Sequence, residues 1–132
     1  MFRSTPIIRW RKYQERYNLM GAKCDKCGKL HYPQPALCSC GNSKFTAHKF
    51  KGEGTLISFT DIGSGPEAFA GQAPYCLGII QLSEGPKITS QLADCKLEDL
   101  KIGMQMIATF RKFYSSGEKG AIYYGTKFTL KW

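Results

Sequence analysis

Four of the six cysteines in this 132-residue chain stand within one seventeen-residue stretch, and this cluster constrains the fold more than any other feature. The stretch, CDKCGKLHYPQPALCSC, holds one pair with the spacing Cys24-x2-Cys27 and a tighter pair, Cys38-x-Cys40. Close pairs of thiolates are typical ligands of tetrahedral Zn²⁺. A segment of roughly 25 residues has no hydrophobic core of its own, so its folding should depend on the metal. The pattern predicts a zinc ribbon over residues 22–48.

The four clustered cysteines are the predicted metal ligands, and His31 and His48 are the alternatives if Cys40 cannot reach the metal. Four thiolates accept iron as well as zinc, so the identity of the metal stays open. A site with four protein ligands has no free coordination position. The predicted role of the metal is therefore structural and not catalytic.

The net charge of +9 is unevenly distributed along the chain. Residues 1–51 carry eleven Lys and Arg against two acidic residues, whereas residues 52–132 carry eight of each sign. A basic half of this kind favours an anionic partner: nucleic acid, a phosphate-bearing cofactor or an acidic protein surface. No signal peptide or membrane-spanning segment is evident, so we expect a cytoplasmic protein whose cysteines are reduced.

The first 21 residues predict a helix that begins at Ser4-Thr5-Pro6, where Thr5 can cap the helix, and ends at Gly21. Apolar and aromatic residues recur along one face at spacings of three and four: Ile7, Trp10, Tyr13, Tyr17 and Met20. The opposite face is mostly basic: Arg9, Arg11, Lys12, Glu15 and Arg16.

Each helix face has two interpretations. The basic face is either a solvated surface or a docking surface for an acidic partner. The aromatic stripe either packs within the chain or is buried against another protein. If the helix docks on a partner, Trp10, Arg11 and Tyr17 are the predicted contact residues.

Residues 49–132 predict a compact β domain. Five strands are expected near residues 55–62, 75–82, 87–94, 104–113 and 122–132, with a helical turn at 97–100 between the third and fourth. This order matches a five-stranded Greek-key barrel of the OB type. The predicted fold is therefore mainly β: an N-terminal helix and a rubredoxin-like zinc ribbon, followed by an OB-fold barrel. The segment 63–74 is long for a loop, and such loops are functional or disordered.

Nothing in the β domain predicts catalysis. Cys76 and Cys95 have apolar neighbours and no histidine or paired base in this half, so we interpret them as packed thiols and not nucleophiles. No GxSxG, P-loop, HExxH or GxGxxG motif is present. We therefore expect that the chain is not an enzyme.

An alternative function is single-stranded nucleic-acid binding, because OB barrels bind single strands with aromatic side chains and a cationic groove. The neutral charge of the β domain argues against it, since phosphate neutralisation dominates such affinity. The candidate contacts are Phe59, Tyr75, Phe110, Phe113, Tyr114, Tyr123, Tyr124, Arg111, Lys112, Lys127 and Lys131.

The whole chain resembles the thiolase-associated zinc-ribbon/OB-fold proteins, long described as a domain of unknown function. The resemblance extends over nearly the full length, and one difference is Cys38-Ser-Cys40, where the family usually has two residues between the cysteines. The motifs that carry it are Cys24-Asp-Lys-Cys27-Gly28-Lys-Leu-His-Tyr32-Pro33, Gly52-Glu-Gly54-Thr55-Leu-Ile-Ser58-Phe59-Thr60, Pro74-Tyr75, Gly85, Gln91-Leu92, Ile102-Gly103-Met104 and Phe110-Arg111.

The resemblance implies a non-catalytic companion of acyl-CoA enzymes. Family members are similar to the small subunit that joins archaeal acetoacetyl-CoA thiolase, an acetyl-CoA C-acetyltransferase, to hydroxymethylglutaryl-CoA (HMG-CoA) synthase at the start of the mevalonate route to isoprenoids. A CoA contact is then expected from the 63–75 loop and nearby basic residues, namely Phe69, Tyr75, Arg111 and Lys112. A stand-alone acyl-CoA-binding protein is a further possibility.

Overall fold

The computed structural model describes residues 5–115 and 118–131 and divides into two compact units, Met1–Lys51 and Gly52–Trp132. Ser4 of the predicted helix start and Trp132 of the predicted last strand lie outside the described residues, as do the side chains of Glu15 and Arg16. None of the described helices combines the length and the apolar character needed to cross a membrane.

The first unit begins with two short helices, α1 (Pro6–Arg11) and α2 (Tyr13–Asn18). Thr5 caps α1, because its hydroxyl accepts a hydrogen bond of 3.3 Å from the N–H of Ile8. The predicted helical segment is too long at its C-terminal end: Met20 and Gly21 open a strand instead. The reversal occurs at Leu19, whose φ of 49° lies in the left-handed region and ends the helix.

A three-stranded antiparallel sheet of order β2-β1-β3 completes the first unit. Its core includes Leu19, Ala22 and Phe50, all nearly fully buried. Glycine is required at position 21, because a Cβ there would lie 2.2 Å from the carbonyl oxygen of His31. The strands are β1 (Met20–Cys24), β2 (Leu30–His31) and β3 (Phe45–Lys49).

The second unit is a closed barrel of five strands in the order β4-β5-β6-β8-β7. The strands are β4 (Glu53–Ile62), β5 (Tyr75–Leu82), β6 (Lys87–Leu92), β7 (Gln105–Ser115) and β8 (Ile122–Leu130). Five apolar side chains from four strands fill the interior: Leu56, Ile80, Leu82, Met106 and Phe128. The barrel and the preceding zinc ribbon confirm the predicted fold class.

Two connections in the barrel are helical. A 3₁₀ helix at Leu97–Asp99 occupies the turn expected between the third and fourth barrel strands. A second 3₁₀ helix, Glu67–Gln72, orders the segment between β4 and β5. Strands β6 and β8 are paired in parallel only at Leu92 and Phe128, so the rest of this seam is not closed by ladder hydrogen bonds.

Candidate functional site

The four clustered cysteines meet at one point in the first unit, with all four sulfur atoms within 4.8 Å of one another. The Sγ atoms of Cys24 and Cys40 are 3.6 Å apart, and those of Cys27 and Cys38 are 3.5 Å apart. Zn–S bonds of about 2.3 Å in a tetrahedron place sulfur atoms about 3.8 Å apart. The cluster of four thiols therefore fits a structural Zn²⁺.

Two glycine turns bring the thiols together. After the first pair, Gly28 (φ 74°) donates its N–H to the carbonyl of Cys24 at 2.9 Å. After the second pair, Gly41 (φ 86°) donates to the carbonyl of Cys38 at 2.8 Å. These positive φ values favour glycine. The second turn explains how the short Cys38-x-Cys40 spacing still places both sulfur atoms in the cluster.

Side chains from outside the cysteine pairs also contact the sulfur atoms. The amide of Asn42 donates to Cys24 Sγ at 3.4 Å, and His31 Nε2 lies 3.3 Å from Cys38 Sγ. Hydrogen bonds of this kind orient ligands and offset their negative charge. The structure thus places His31 beside the cluster as a partner of a thiol, and it leaves the four-sulfur set complete.

The surroundings of two thiols favour their deprotonated form. The backbone N–H of Cys27 and then the amide of Asn42 lower the pKa of the Cys24 thiol to about 7. The backbone N–H of Cys40 is the largest influence on Cys38, whose pKa falls to about 5. Thiolates are the form in which cysteine binds metal.

Cys27 shows why this cluster requires a cation. The backbone N–H of Lys29 lowers the pKa of its thiol, but the sulfur atoms of Cys38 and Cys24, desolvation and the sulfur atom of Cys40 together outweigh that effect and raise the pKa to about 11. Adjacent sulfur atoms oppose a further negative charge unless a metal compensates it. Four thiolates and a divalent metal without an open position make a closed site, whose contribution is to folding.

The helix residues predicted to dock on a partner are exposed. Trp10 is 74% exposed and Tyr17 is 39% exposed, and Arg11 also lies on the surface. Ring contacts join the aromatic stripe: Trp10 and Tyr13 are stacked with centroids 5.3 Å apart, and Tyr13 and Tyr17 meet edge to face at 6.4 Å. Trp10, Arg11 and Tyr17 therefore lie at the surface of the first unit.

The residues predicted to contact CoA divide into two groups. Phe69 and Tyr75 have ring centroids 5.9 Å apart and line a pocket of about 230 Å³ in the barrel wall. Arg111 and Lys112 lie on β7 and are exposed, and neither lines this pocket. Arg111 is also held by an ion pair of 2.9 Å with Asp94.

Lys127 is the residue whose environment sequence reasoning missed. As a candidate nucleic-acid contact Lys127 was expected at the surface, yet only 7% of it is exposed. The 3₁₀ helix Glu67–Gln72 causes this burial in part, because Gln72 Oε1 accepts a hydrogen bond of 3.3 Å from Lys127 Nζ. The length of the segment 63–74 was the available signal, since it is long enough to cover part of the barrel.

The nucleic-acid alternative loses two of its cations in the structure, since Lys127 is buried and Arg111 is paired. It keeps one exposed aromatic pair: Phe110 and Tyr124 stack on the outside of the barrel with ring centroids 5.6 Å apart. One stacked pair on a domain without net positive charge is a poor platform for a single strand.

The remaining cysteines have environments that disfavour nucleophilic thiolates. Cys76 is buried and Cys95 is half-buried. Desolvation by burial is the main reason that the pKa of each thiol is raised, to about 11 for Cys95. These environments match the prediction that both are packed thiols.

Comparison with known proteins connects both units to one family. The profile of the rubredoxin-like zinc ribbon domain of ChsH2 matches residues 15–46, and that of the ChsH2 C-terminal OB-fold domain matches residues 47–111. A DUF35 domain-containing scaffold protein of Methanocaldococcus jannaschii is 40% identical over 131 residues, which cover 97% of this chain and 93% of that protein. The chain belongs to the DUF35 family.

Two further matches to this DUF35 chain are a thiolase subunit and a solved structure. Benzoylsuccinyl-CoA thiolase subunit BbsA of Thauera aromatica is 38% identical over 79 residues, which cover 56% of the DUF35 chain and 51% of BbsA. A solved Ltp2-ChsH2(DUF35) aldolase superposes with a TM-score of 0.73 at 21% identity, covering 98% of this chain and 96% of that one. The match to the solved structure shows that the two chains share a fold.

Proposed function

We propose that the chain is a non-catalytic scaffold that holds a thiolase and a second acyl-CoA enzyme together in the cytoplasm. Acetoacetyl-CoA thiolase and HMG-CoA synthase are the proposed pair, at the entrance to the mevalonate route. The observation that carries the proposal is the near-full-length similarity to a protein named as a scaffold. The match to a thiolase subunit, BbsA, supports a thiolase as one partner.

In this function the cysteine cluster stabilises a docking unit. Cys24, Cys27, Cys38 and Cys40 would bind Zn²⁺, which supplies a rigid tetrahedral cross-link and no reaction chemistry. The cross-link joins the two turns that follow strands β1 and β2, in a unit with few core residues. The unit also carries all of the net positive charge of the chain, which suits a partner surface rich in acidic residues.

The exposed aromatic stripe of α1 and α2 is the proposed contact with one enzyme. Trp10 and Tyr17 offer large rings at the surface, and Arg11 beside them offers a cation. Aromatic residues and arginine are the types that dominate binding energy at protein interfaces. The barrel unit would contact the second enzyme. Linking two enzymes raises the local concentration of a shared intermediate without new chemistry.

A direct CoA contact is a finer part of the same proposal. Phe69 and Tyr75 would pack against an apolar part of the ligand, and Arg111 and Lys112 would meet its phosphates. Because Arg111 is already paired with Asp94, Lys112 is the cation of the two without a described carboxylate partner. If the contact forms, Lys112→Gln should weaken it more than Arg111→Gln.

Affinity purification of the native full-length chain, followed by mass spectrometry, tests the scaffold. We expect to recover a thiolase together with HMG-CoA synthase, and the purified trio should migrate as one species in size-exclusion chromatography. Recovery of nucleic acid without a thiolase would overturn the proposal. Recovery of a thiolase with a different acyl-CoA enzyme would retain the scaffold and reject the named second partner.

Substitution in the aromatic stripe tests the docking surface. We expect Trp10→Ala with Tyr17→Ala to weaken capture of one enzyme by about tenfold or more, because both rings are hot-spot types. Leu37→Ala is the matched control, since Leu37 is 62% exposed in the same unit but lies outside the helices. Equal losses from the double variant and from the control would argue against docking through the stripe.

A further inference from the structure

The barrel contains one buried cation without a carboxylate partner. Lys127 is the only charged side chain among the described residues that is classed as buried, with 7% of it exposed. The described ion pairs of the barrel are Arg111 with Asp94 and Lys131 with Glu53, and neither involves Lys127. Burying an ammonium group without a counter-charge is costly for folding, and a bound anion would offset that cost.

Neutral groups surround the Lys127 ammonium. Its Nζ donates to Gln72 Oε1 at 3.3 Å and lies 5.7 Å from the centroid of the Phe113 ring. Gln91 Nε2 donates to the same Gln72 oxygen at 3.3 Å. Arg111 is the charged group that acts on Lys127, and it has the same sign. Burial is the main cause that lowers the pKa of Lys127, and the charge of Arg111 lowers it further.

This cluster adjoins the pocket of about 230 Å³ in the barrel wall. Gln91 and Phe113 belong to both, because each lines the pocket and each contacts a member of the Lys127 cluster. The pocket is lined by apolar and aromatic side chains together with side chains that carry hydroxyl and amide groups. Its lining residues are Phe69, Tyr75, Leu77, Thr89, Ser90, Gln91, Phe113 and Thr126.

Structural features on two sides of the pocket keep it open in the described conformation. On one side, β6 and β8 pair in parallel only at Leu92 and Phe128, so their backbone pairing does not extend to Thr126. On the other side, Phe69 packs against both Tyr75 and Tyr114, with centroid distances of 5.9 and 5.6 Å. Aromatic contacts of this kind fix ring positions, so a ligand would find the site largely pre-formed.

We propose that this pocket binds a small organic carboxylate with an aromatic or branched apolar body. The body would lie against Phe69, Tyr75 and Leu77, and the carboxylate would lie at Gln91, where it could accept hydrogen bonds and compensate the charge of Lys127. The volume corresponds to about seven or eight water molecules, which matches a body of benzoate size. A multiply charged phosphate ligand fits less well, because the site has one cation and apolar walls.

This proposal shares Phe69 and Tyr75 with the proposed CoA contact, but it does not depend on CoA or on any partner enzyme. It concerns the isolated chain and free carboxylates. A failure of the scaffold proposal would therefore leave it standing, and its own failure would leave the scaffold proposal standing.

Titration of the zinc-loaded full-length chain with benzoate, followed by amide chemical shifts, tests the pocket. We expect saturable shifts at Thr89, Gln91, Phe113 and Thr126, and binding of benzamide about tenfold weaker or worse, because benzamide lacks the charge that Lys127 would compensate. Absence of saturable shifts with benzoate, or equal binding of benzamide, would overturn the proposal.

Substitution of Lys127 separates a ligand role from a structural role. We expect Lys127→Met to weaken benzoate binding by about tenfold or more and to leave benzamide binding unchanged. Lys127→Arg keeps the charge and should retain much of the affinity for benzoate. Lys131→Met is the matched control, because Lys131 is exposed and paired with Glu53. Benzoate affinity that is unchanged in Lys127→Met, or lost equally in the control, would refute the assignment.

Discussion

At the scale of single residues, Lys127 shows that one side chain can be unfavourable for folding. Its ammonium is desolvated, its hydrogen-bond acceptor is a neutral amide, and the charged group acting on it is Arg111. A lowered pKa means that the folded chain binds this proton less readily than the unfolded chain. The cost to stability is therefore fully present at low pH and is relieved as the pH rises towards the unfolded value of about 10.5.

The lowered pKa of Lys127 leads to a prediction about stability. We expect Lys127→Met to leave the melting temperature unchanged or to raise it at pH 7, and the difference from the unmodified chain should shrink at about pH 10. Thermal unfolding monitored by circular dichroism at both pH values measures it. A large loss of stability at pH 7 would show that the hydrogen bond to Gln72 outweighs desolvation.

Gly125 on β8 occupies a position where the structure leaves no room for a side chain. A Cβ there would lie 2.3 Å from the ring of Phe113, which occupies the bulge of β7. We expect Gly125→Ala to destabilise the barrel by about 1–3 kcal/mol, because the ring must move or the strands must separate. Urea unfolding measures the change.

Gly63→Ala is the matched control for Gly125→Ala, because nothing lies within 4 Å of a Cβ at position 63. It should be neutral or slightly stabilising, since alanine reduces the entropy of the unfolded chain. Similar losses in both variants would mean that the contact with Phe113 does not cause the effect.

At the scale of elements, we expect the fold of the zinc ribbon to depend on a bound metal and the fold of the barrel to be independent of it. The ribbon has three short strands and few buried apolar side chains, two of which are the thiols of Cys24 and Cys38. The barrel has a separate apolar interior of larger residues. Removal of the metal should therefore unfold one set of elements and spare the other.

A strong zinc chelator, or the substitution Cys40→Ser, tests this dependence. We expect the amide signals of β1, β2 and β3 to lose their dispersion, while those of β4 to β8 keep their positions. Cys95→Ser is the control, because that thiol belongs to the other unit. Purified protein without stoichiometric metal but with a folded ribbon would contradict the prediction. Stoichiometric iron would correct the identity of the metal.

At the scale of the whole molecule, the main property is the uneven distribution of net charge between the two units. The first unit carries the entire net charge of +9, and the barrel is neutral. Interactions between charged surfaces act mainly on the rate of association, and salt screens them. The basic unit should therefore govern how quickly an acidic partner is captured.

We expect the double change Arg11→Gln and Lys12→Gln to slow association with the proposed thiolase partner, and we expect added salt to abolish the difference. Surface plasmon resonance at about 0.05 and about 0.5 M salt measures the rates. The double change Lys87→Gln and Lys101→Gln is the control, since it removes the same charge from exposed positions of the barrel. Equal slowing by both variants would show that the location of the charge does not matter.

The amino-acid sequence by itself determined the cysteine cluster and the order of the elements. Cysteine spacing and glycine turns are local, and period-two alternation is local too, so the ribbon and five barrel strands were predictable. The predicted end of the helix was wrong because the left-handed conformation of Leu19 depends on β1 joining the sheet.

Only the tertiary structure decided which side chains lose contact with water and which meet at one site. Lys127 alternates as an outward residue, yet Gln72, 55 positions earlier in the chain, is bonded to it and helps to cover it. Phe113 and Gly125 likewise become a tight pair only when β7 lies beside β8. These contacts join distant positions, and no local pattern encodes them. Burial, the pocket and the cost of the lysine follow from closure of the barrel.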